Sequence, residues 1–214
     1  MYKKKPFFIV FEGVEGCGKS YQSKKLTINL KRKGVNSLLT REPGGTRSAE
    51  SIRNLILKDY FNKGKNEKFD KYTDTLLYLA ARNEHVKNKI IPALKEKKIV
   101  VCDRFIDSTL AYQVYGKKVN KLFIDNIHKL ILRGVKPNLT FVLKVSSKSS
   151  KERLKKRKTK NRYDNFSQSF YTKAQNSFLK IAKNKKNYFV LNSSENNPNL
   201  EKEIFKIVRK IIKI

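Results

Sequence analysis

The sequence predicts an α/β protein in which helices cover both faces of a five-stranded parallel sheet. Five short apolar runs, each suited to one buried strand, are spread along the 214 residues. Segments with helical spacing of apolar residues lie between them, and this alternation favours βαβ units with parallel strands. A glycine-rich turn connects the first run to the first helix, which is where such folds commonly bind phosphate groups.

The individual elements follow from apolar spacing and from residues that end helices. The strands are predicted at residues 7–11, 37–40, 99–102, 139–143 and 188–191. The helices are predicted at residues 19–33, 48–58, 73–97, 122–132, 149–158, 167–182 and 200–212. Gly34 ends the first helix, and Ile52, Leu55 and Ile56 give the second an apolar face at i, i+3 and i+4. Pro92 predicts a kink or a break in the third.

The composition predicts one folded domain over residues 1–214. Hydrophobic residues make up 39% of the chain, which is enough for a sizeable core, and no linker or internal repeat divides it. Residues 62–70 are polar and predict a surface loop. Residues 144–162 are crowded with Lys, Arg and Ser. We therefore expect a single α/β domain with one basic excursion.

The net charge of +32 needs an explanation. Clustered cations displace counterions from nucleic acids, so a nucleic-acid-binding protein is one interpretation. Only eleven of the 50 basic residues are Arg, however, and 39 are Lys. Lysines often only solvate a surface, whereas arginines form the two-pronged contacts of phosphate sites. No recognition motif accompanies the basic residues, so we expect no stable nucleic-acid binding.

Composition excludes several other classes of protein. Cys17 and Cys102 are too few for a disulfide framework and favour a reducing, cytoplasmic location. With two scattered His they do not form a structural zinc motif. The apolar run at 7–11 is shorter than a signal-peptide core, and no stretch approaches the length of a membrane span. The sequence predicts a soluble cytoplasmic protein with no membrane partner.

The turn after the first strand fits the phosphate-binding pattern G-x-x-x-x-G-K-[ST]. Its residues are Gly13, Val14, Glu15, Gly16, Cys17, Gly18, Lys19 and Ser20. Glycines allow successive backbone N–H groups to converge on a phosphate, and the following helix adds its positive N-terminal end. Lys19 would reach the β- and γ-phosphates of a nucleotide, and the Ser20 hydroxyl would bind Mg²⁺. Because the turn lies between a strand and a helix, as the motif requires, we predict a P-loop.

Two further loops place charged residues at the same edge of the sheet. The third strand leads directly to Asp103 and Arg104, and the second leads to Thr40-Arg-Glu-Pro-Gly-Gly-Thr46. Ligands of open α/β sheets bind at the carboxyl ends of the strands. A structural salt bridge at the end of a strand is the alternative interpretation of Asp103 and Arg104. Beside a P-loop, these charges favour a second substrate that faces the nucleotide.

The motifs at these positions resemble those of the thymidylate kinase family. The matching segments, in the family's order and spacing, are Phe11-Glu-Gly-Val-Glu-Gly-Cys-Gly-Lys-Ser20, Thr40-Arg-Glu-Pro-Gly-Gly-Thr46, Ala49-Glu-Ser-Ile-Arg53, Leu76-Leu-Tyr-Leu-Ala-Ala-Arg82 and Asp103-Arg-Phe-Ile-Asp-Ser-Thr-Leu-Ala-Tyr-Gln113. The resemblance runs from about residue 7 to the end of the chain. It implies a P-loop kinase fold with a short basic lid, phosphorylation of dTMP by ATP with Mg²⁺, and a homodimer.

The resemblance also implies roles for individual residues. Tyr78 would stack on the thymine ring and Arg82 would hydrogen-bond the edge of the base. Since the two residues are four apart on a predicted helix, they share one face. Arg53 and Arg104 would hold the phosphate of dTMP, and Glu15 would lie near the sugar. The segment that lines the base and sugar pocket contains Ser108, Thr109, Tyr112 and Gln113.

A lid over residues 150–166 is implied by the same resemblance. Its arginines are Arg153, Arg157 and Arg162. They would close over ATP and supply the cation that a P-loop with Gly16 lacks. Together with Lys19 and Arg104 they would offset charge on the transferred phosphoryl group, and Asp103 would orient groups nearby.

Two alternative functions stay open at this point. A P-loop nucleoside or nucleotide kinase with another base preference shares the same donor site. Comparing dTMP, dUMP, dCMP and AMP as acceptors separates it from a kinase specific for dTMP. A basic nucleic-acid-binding P-loop protein would bind DNA or RNA with an affinity that falls steeply with salt.

Overall fold

Five strands form one parallel sheet in the computed structural model of this protein, which describes residues 5–57, 69–157, 167–195 and 198–214. The strands are β1 (Phe7–Glu12), β2 (Ser37–Arg41), β3 (Ile99–Asp103), β4 (Leu139–Lys144) and β5 (Tyr188–Asn192). Their order in the sheet is β2-β3-β1-β4-β5, and all neighbouring pairs are parallel. The prediction of a five-stranded parallel α/β fold is confirmed, and the strand bounds agree to within one residue.

The helices of the described residues agree with the predicted ones except after β3. They are α1 (Lys19–Arg32), α2 (Arg47–Leu57), α3 (Lys71–His85), α4 (Ile91–Lys95), α5 (Ile106–Thr109), α6 (Lys121–Ile131), α7 (Ser147–Lys155), α8 (Gln168–Ala182) and α9 (Pro198–Ile212). Most of the predicted surface loop at 62–70 lies outside the described residues. In the described parts of the chain, no helix is both long and apolar enough to cross a membrane.

Pro92 changes the pitch of the predicted long helix. α3 passes into a π-helical segment, Val86–Ile90, and α4 begins one residue before Pro92. Proline has no N–H to donate within a helix, and the wider π turn directly before it accommodates the missing bond. The expected disturbance is therefore a local change of helix type within an uninterrupted helical stretch from 71 to 95.

Apolar side chains bury both faces of the sheet. Alternate residues of β1 point to opposite sides, as the pleat of a strand requires. Ile9 and Phe11 pack in one cluster with residues of α1, α8 and α9, whereas Phe8 and Val10 pack with the helical stretch that contains α4. Because helices cover both faces, the central strands are continuously apolar, and their polar residues collect at the carboxyl edge.

The segment after β3 is helical, which the sequence analysis did not predict. Arg104 follows β3 with a left-handed φ of 74°, and this turn leads into α5 and then into a π-helical segment, Leu110–Gly116. Its pattern of apolar and polar residues does not have a simple helical period, so the pattern gave no helical prediction. The turn places this helical segment beside the P-loop, at the carboxyl edge of the sheet.

Candidate active site

A cavity of about 480 Å³ opens at the carboxyl edge of the sheet. Phe11 of β1 and Arg41 of β2 both pair with Asp103 of β3, so the loops after these three strands begin at the same level. The predicted site residues that line the cavity are Glu15, Gly16, Gly18, Lys19, Ser20, Arg53, Tyr78, Arg82, Asp103, Arg104, Ser108, Thr109, Tyr112, Gln113, Arg153 and Arg157. The structure thus brings the P-loop and the predicted acceptor residues into one cavity.

The P-loop closes around the side chain of Lys19. Lys19 Nζ donates to the carbonyl oxygen of Val14 at 2.8 Å and lies 3.5 Å from Cys17 Sγ. Val14 and Cys17 belong to the core cluster beneath the loop. Gly16 has a φ of 73°, and a Cβ there would lie 2.8 Å from the carbonyl oxygen of Ser150, so this position requires glycine. The loop holds a buried ammonium group at the start of α1, which suits a phosphate.

Ser20 and Asp103 form an oxygen-rich corner beside the P-loop. Ser20 Oγ donates to Asp103 Oδ2. Asp103 Oδ1 is buried and has no hydrogen-bond partner within the described residues. A hydroxyl and a carboxylate are the hard oxygen ligands of Mg²⁺, which commonly takes only one or two protein ligands beside phosphates and water. These two residues therefore fit Mg²⁺, and the described parts of the chain contain no cluster of three or more His, Cys, Asp and Glu that could hold a metal.

Arg104 reaches from the end of β3 to the P-loop. Its Nη1 donates to the Gly13 carbonyl and to Ser108 Oγ, both at 3.0 Å, and its Nη2 donates to Glu15 Oε1 at 2.8 Å. The Tyr112 hydroxyl donates to the other oxygen of Glu15 at 2.6 Å. Burial lowers the pKa of Arg104, but Glu15 and the other acidic groups raise it, so that the pKa lies well above its usual value. The cavity wall therefore carries a permanent cation, as a phosphate site requires.

Glu12, at the end of β1, holds the turn that carries Arg104. Its Oε1 accepts the N–H groups of Phe105 at 2.8 Å and of Ser108 at 3.2 Å, and its Oε2 accepts the Ser108 hydroxyl at 2.6 Å. Burial, with a smaller contribution from Asp107, raises the pKa of Glu12 from 4.5 to about 7. Glu12 thus connects the first strand to the side chain that Arg104 contacts.

Arg82 is 3% exposed and uses four of its five N–H groups within the protein. Nε donates to Glu42 Oε2 at 2.7 Å, Nη1 donates to Thr109 Oγ1 and to His128 Nε2 at 2.8 Å each, and Nη2 donates to the Phe105 carbonyl at 2.9 Å. Because a guanidinium only donates, His128 Nε2 is the acceptor. Burial and Arg82 lower the pKa of His128 to about 3, so the imidazole is neutral. Within the described residues, one N–H of Nη2 is left for a ligand in the cavity.

Buried polar residues fix Glu42 against Arg82. His85 Nδ1 lies 3.0 Å from Glu42 Oε1, and His85 Nε2 lies 2.6 Å from Thr40 Oγ1. Burial raises the pKa of Glu42, but Arg82 and His85 outweigh this effect and the pKa is lowered. Gly45 packs directly on the imidazole, since a Cβ at Gly45 would lie 2.5 Å from His85 Cδ2. The loop after β2 therefore supports Arg82.

The remaining predicted acceptor residues lie farther along the cavity wall. Arg53 Nη1 donates to the Pro43 carbonyl at 2.6 Å, and burial, followed by Arg41, lowers the pKa of Arg53. Tyr78 is half-buried and packs against the core. Gln113 Nε2 is buried and has no hydrogen-bond partner in the described part of the chain. An aromatic ring and a spare amide donor suit a base.

α7 and the two residues after it bring two of the arginines predicted for the lid to the P-loop end of the cavity. Ser150 Oγ donates to the Glu15 carbonyl at 2.9 Å, and Arg153 Nη1 donates to the Gly16 carbonyl at 3.1 Å. Arg157 lines the cavity. Arg162, with the rest of the predicted lid from 158 to 166, lies outside the described residues.

Comparison with known proteins decides the family. A sequence model described as thymidylate kinase matches residues 11–204. The chain belongs to the thymidylate kinase family. The thymidylate kinase of Geobacillus sp. (strain WCH70) is 44% identical to it over 177 residues, 82% of each chain. That of Wolbachia pipientis subsp. Culex pipiens (strain wPip) is 41% identical over 209 residues, 95% of this chain and 96% of the relative.

A solved thymidylate kinase shares the whole fold. The crystal structure of thymidylate kinase from Ehrlichia chaffeensis matches with a TM-score of 0.74 at 35% identity and covers 95% of this chain and 99% of that chain. The resemblance that the motifs indicated is therefore confirmed, and it extends beyond the motif segments to nearly the full chain.

Three buried residues of this thymidylate kinase site were missed by sequence analysis: Glu12, His85 and His128. Glu12 lies between the apolar run at 7–11 and the first P-loop glycine, and the pattern indicates only that the run ends there. His85 and His128 are the two histidines of the chain, and both are buried. His85 lies within hydrogen-bond distance of Thr40, and His128 accepts a hydrogen bond from Arg82. The only sequence signal for them was that both lie on predicted helices, where buried polar residues need partners.

Proposed function

We propose that this thymidylate kinase transfers the γ-phosphoryl group of ATP to dTMP, giving ADP and dTDP. The supporting observation is one cavity in which Lys19 and Ser20 lie at the nucleotide end and Arg104 and Arg82 lie at the acceptor end. A phosphate-binding loop opposite a phosphate-binding arginine and a base-binding donor corresponds to two nucleotides placed head to head. Phosphoryl transfer requires this alignment of acceptor oxygen and γ-phosphate.

Arg53 and Arg104 are proposed to hold the phosphate of dTMP. Both guanidinium groups reach the cavity, and guanidinium binds phosphate oxygens through paired N–H groups. Glu15 is proposed to accept a hydrogen bond from the sugar. Burial raises the pKa of Glu15, but Arg104 and Lys19 lower it further, so the carboxylate stays ionised and acts as an acceptor near neutral pH.

Arg82 is proposed to select the base through its remaining N–H. A donor in this position matches a keto oxygen on the edge of thymine or uracil, whereas cytosine would bring an amino group against it and leave both donors without an acceptor. The ring of Tyr78 suits stacking on a base, and Gln113 offers a second donor. We expect thymidylate and uridylate to be accepted in preference to cytidylate.

The transfer step is proposed to depend on position and charge. The acceptor phosphate is already anionic near neutral pH, so no strong general base is needed. Lys19 and the lid arginines, Arg153, Arg157 and Arg162, would offset charge on the transferred group. When held by Ser20 and Asp103, Mg²⁺ supplies further charge neutralisation at the phosphates. Closure of the lid excludes water, which would otherwise hydrolyse ATP.

Lys19→Ala tests the assignment of the P-loop. We expect turnover to fall by at least about 100-fold, because the cation at the transferred phosphate is lost, while the melting temperature changes little. Lys24→Ala is the matched control, since Lys24 is an exposed lysine on the same helix. If Lys19→Ala keeps the turnover of the control, the P-loop assignment is wrong.

A panel of acceptors tests the substrate. ADP release is measured with dTMP, dUMP, dCMP and AMP at equal concentrations. The proposal requires the highest kcat/KM with dTMP and a low value with dCMP. A preference for AMP would contradict the role of Tyr78 and Arg82 and favour a kinase of another specificity. Salt-sensitive DNA binding without kinase activity would favour the nucleic-acid-binding alternative.

We also infer a homodimer in the cytoplasm. Tyr72 and Leu76 of α3 and Leu122 of α6 are exposed by 37%, 47% and 69%. Tyr72 packs edge-to-face on Phe123, so these apolar residues lie on neighbouring helices. Such a surface favours contact with a second copy of the chain. The two cysteines are buried free thiols, which suits a reducing compartment. Sedimentation of Leu76→Asp against the unmodified protein tests the dimer.

A further inference from the structure

A second cavity, here called the rear cavity, has a volume of about 710 Å³ and lies behind the active site. It is bounded by β1, β4, α5, the end of α6 and the start of β5. Its volume lies in the range of small-molecule sites. Phe105 is the one residue that the rear cavity shares with the active-site cavity within the described part of the chain.

The rear cavity has an apolar floor and a basic rim. The floor is formed by Val10, Phe105, Ile106, Leu110, Leu132 and Val135. Lys129, Lys136 and Lys185 stand at the rim and are exposed. In the described residues no carboxylate lies within ion-pair distance of Lys129 or Lys136. Lys185 lies over the ring of Tyr188, with its Nζ 4.5 Å from the ring centroid. An apolar floor under the ammonium groups of Lys129 and Lys136 favours a molecule with an apolar body and a negative charge.

Each acidic group at the rear cavity has a partner within the protein. Asp125 forms a salt bridge with Lys121 on the same helix. Asp107 accepts the Tyr188 hydroxyl at 2.8 Å, and burial raises the pKa of Asp107. The pKa of Glu12 is raised to about 7 for the same reason. The remaining titratable group, His128, is neutral. Glu12 and Asp107 are buried, whereas the rim lysines are exposed, so an incoming molecule meets the lysines first.

The wall between the two cavities is built from residues that position the substrate arginines. The guanidinium carbon of Arg82 lies 5.3 Å from the ring centroid of Phe105. His128 lines the rear cavity and accepts a hydrogen bond from Arg82. Glu12 lines the rear cavity as well and holds the Ser108 hydroxyl that Arg104 contacts. A molecule in the rear cavity therefore touches the supports of both the base-binding and the phosphate-binding arginine.

We propose that the rear cavity is a regulatory binding site for a small aromatic anion, a ring system that carries a carboxylate, sulfonate or phosphate group. The ring lies on the apolar floor against Phe105, and the anionic group meets Lys129 and Lys136. Binding changes the affinity for dTMP, because the ligand shifts His128 and Phe105 against Arg82. The strength of such coupling between sites is typically about 5- to 150-fold in affinity.

Fluorescence titration with 8-anilinonaphthalene-1-sulfonate, an aromatic anion, tests the site on the full chain without substrates. We expect Lys129→Glu with Lys136→Glu to weaken binding by about tenfold or more, because two attractive charges become repulsive. The matched control is Lys206→Glu with Lys210→Glu, which makes the same charge change on exposed residues of α9, on the other face of the sheet. Equal affinity in both variants overturns the proposal. Melting curves confirm that all proteins are folded.

Calorimetric titration of dTMP with and without the probe tests the regulatory part. The dissociation constant of dTMP should change by at least about fivefold in the unmodified protein and in the control, but not in the Lys129 and Lys136 variant. The proposal is wrong if the probe does not change the dissociation constant of dTMP in the unmodified protein. It is also wrong if the probe changes that constant equally in the unmodified protein, the control and the Lys129 and Lys136 variant. Failure of dTMP to bind without the probe contradicts the proposed function instead, and leaves the fluorescence result valid. Displacement of the probe by dTTP or by 1-naphthoate then distinguishes a nucleotide from an aryl carboxylate.

Discussion

Arg82 and Arg104 line the same cavity, but the protein holds them in different ways. Arg82 is 3% exposed, and all but one of its N–H groups are occupied by fixed partners in the described residues. The side chain of Arg104 is 15% exposed, and its carboxylate partner is Glu15, which lies in the cavity itself.

The difference corresponds to what each arginine would recognise. A neutral base edge offers one acceptor in one direction. An immobilised Arg82 with one N–H group free within the described residues would therefore recognise it more selectively. A phosphate offers several oxygens and full negative charge, so Arg104 gains from a high pKa and from contacts that it can exchange. A buried arginine whose N–H groups are nearly all occupied can donate in only one direction. A partly exposed arginine keeps a charge that a ligand can reach.

Glu42→Ala tests whether the buried Arg82 needs its carboxylate partner, and it has the largest expected effect on the free energy of unfolding. The charge of Arg82 would stay buried without its partner, so the free energy of unfolding should fall by about 3–5 kcal/mol in urea denaturation. Glu15→Ala is the comparison variant. It should cost only about 1–2 kcal/mol, because water in the cavity can solvate Arg104. Equal losses of stability in Glu42→Ala and Glu15→Ala would contradict the view that Arg82 is held more firmly than Arg104.

Arg104→Ala tests the proposal that the guanidinium group of Arg104 binds the phosphate of dTMP. We expect kcat/KM for dTMP to fall by about 100-fold, equivalent to about 2.7 kcal/mol, since two-pronged phosphate contacts disappear. Arg104→Lys keeps the charge but not the fork and should recover part of the loss. Arg82→Lys should instead narrow the ratio of dTMP to dCMP activity. If Arg104→Ala narrowed that ratio as well, the two roles would not be separate.

The pH dependence of stability tests the support of Arg104. Glu12 has a pKa of about 7 in the folded protein against 4.5 for the free side chain, so the folded state keeps a proton that the unfolded chain releases. Its contribution to stability is therefore fully present below pH 4.5, declines as the pH rises from 4.5 through 7, and levels off above that. Between pH 6 and pH 8 the unmodified protein should lose about 1 kcal/mol relative to Glu12→Gln, measured by urea denaturation. Parallel curves for the two proteins would show that Glu12 is ionised throughout.

Arg41→Ala has the smallest expected effect on the free energy of unfolding. Arg41 forms a salt bridge with Glu50 at 3.0 Å, but its side chain is 55% exposed. Exposed ion pairs contribute little, so the free energy of unfolding should change by less than about 0.5 kcal/mol. A loss comparable to that of Glu42→Ala would mean that burial is not what separates these arginines.

Local patterns made much of the fold predictable. Apolar runs identify buried strands, and the glycine spacing from 13 to 20 identifies the P-loop, because both depend on residues close in sequence. The charged residues after β2 and β3 were placed correctly at one edge, since parallel strands share their direction. The family resemblance then added Tyr78, for which the sequence pattern alone indicated no more than a helix face, and Gln113, which lies in a segment without a predicted helix.

The supporting residues could not be predicted from such patterns. Glu12 contacts residues more than 90 positions away, and His128 lies 46 positions from Arg82. The family resemblance implied a contact between Arg82 and the base, but it did not indicate that the protein itself takes most of the hydrogen bonds of Arg82. Which donors are already occupied depends on three-dimensional packing, and the pattern of a single segment does not contain that information.

Gly45 shows how far the support of Arg82 extends from the cavity. It does not line the active-site cavity, yet any side chain there would displace His85, which holds Glu42, which in turn orients Arg82. With Arg82 selecting the base as proposed, inheritable change at this position would alter which nucleotide is accepted while every residue that lines the cavity stays the same. Drift in substrate preference would then begin at a residue outside the cavity.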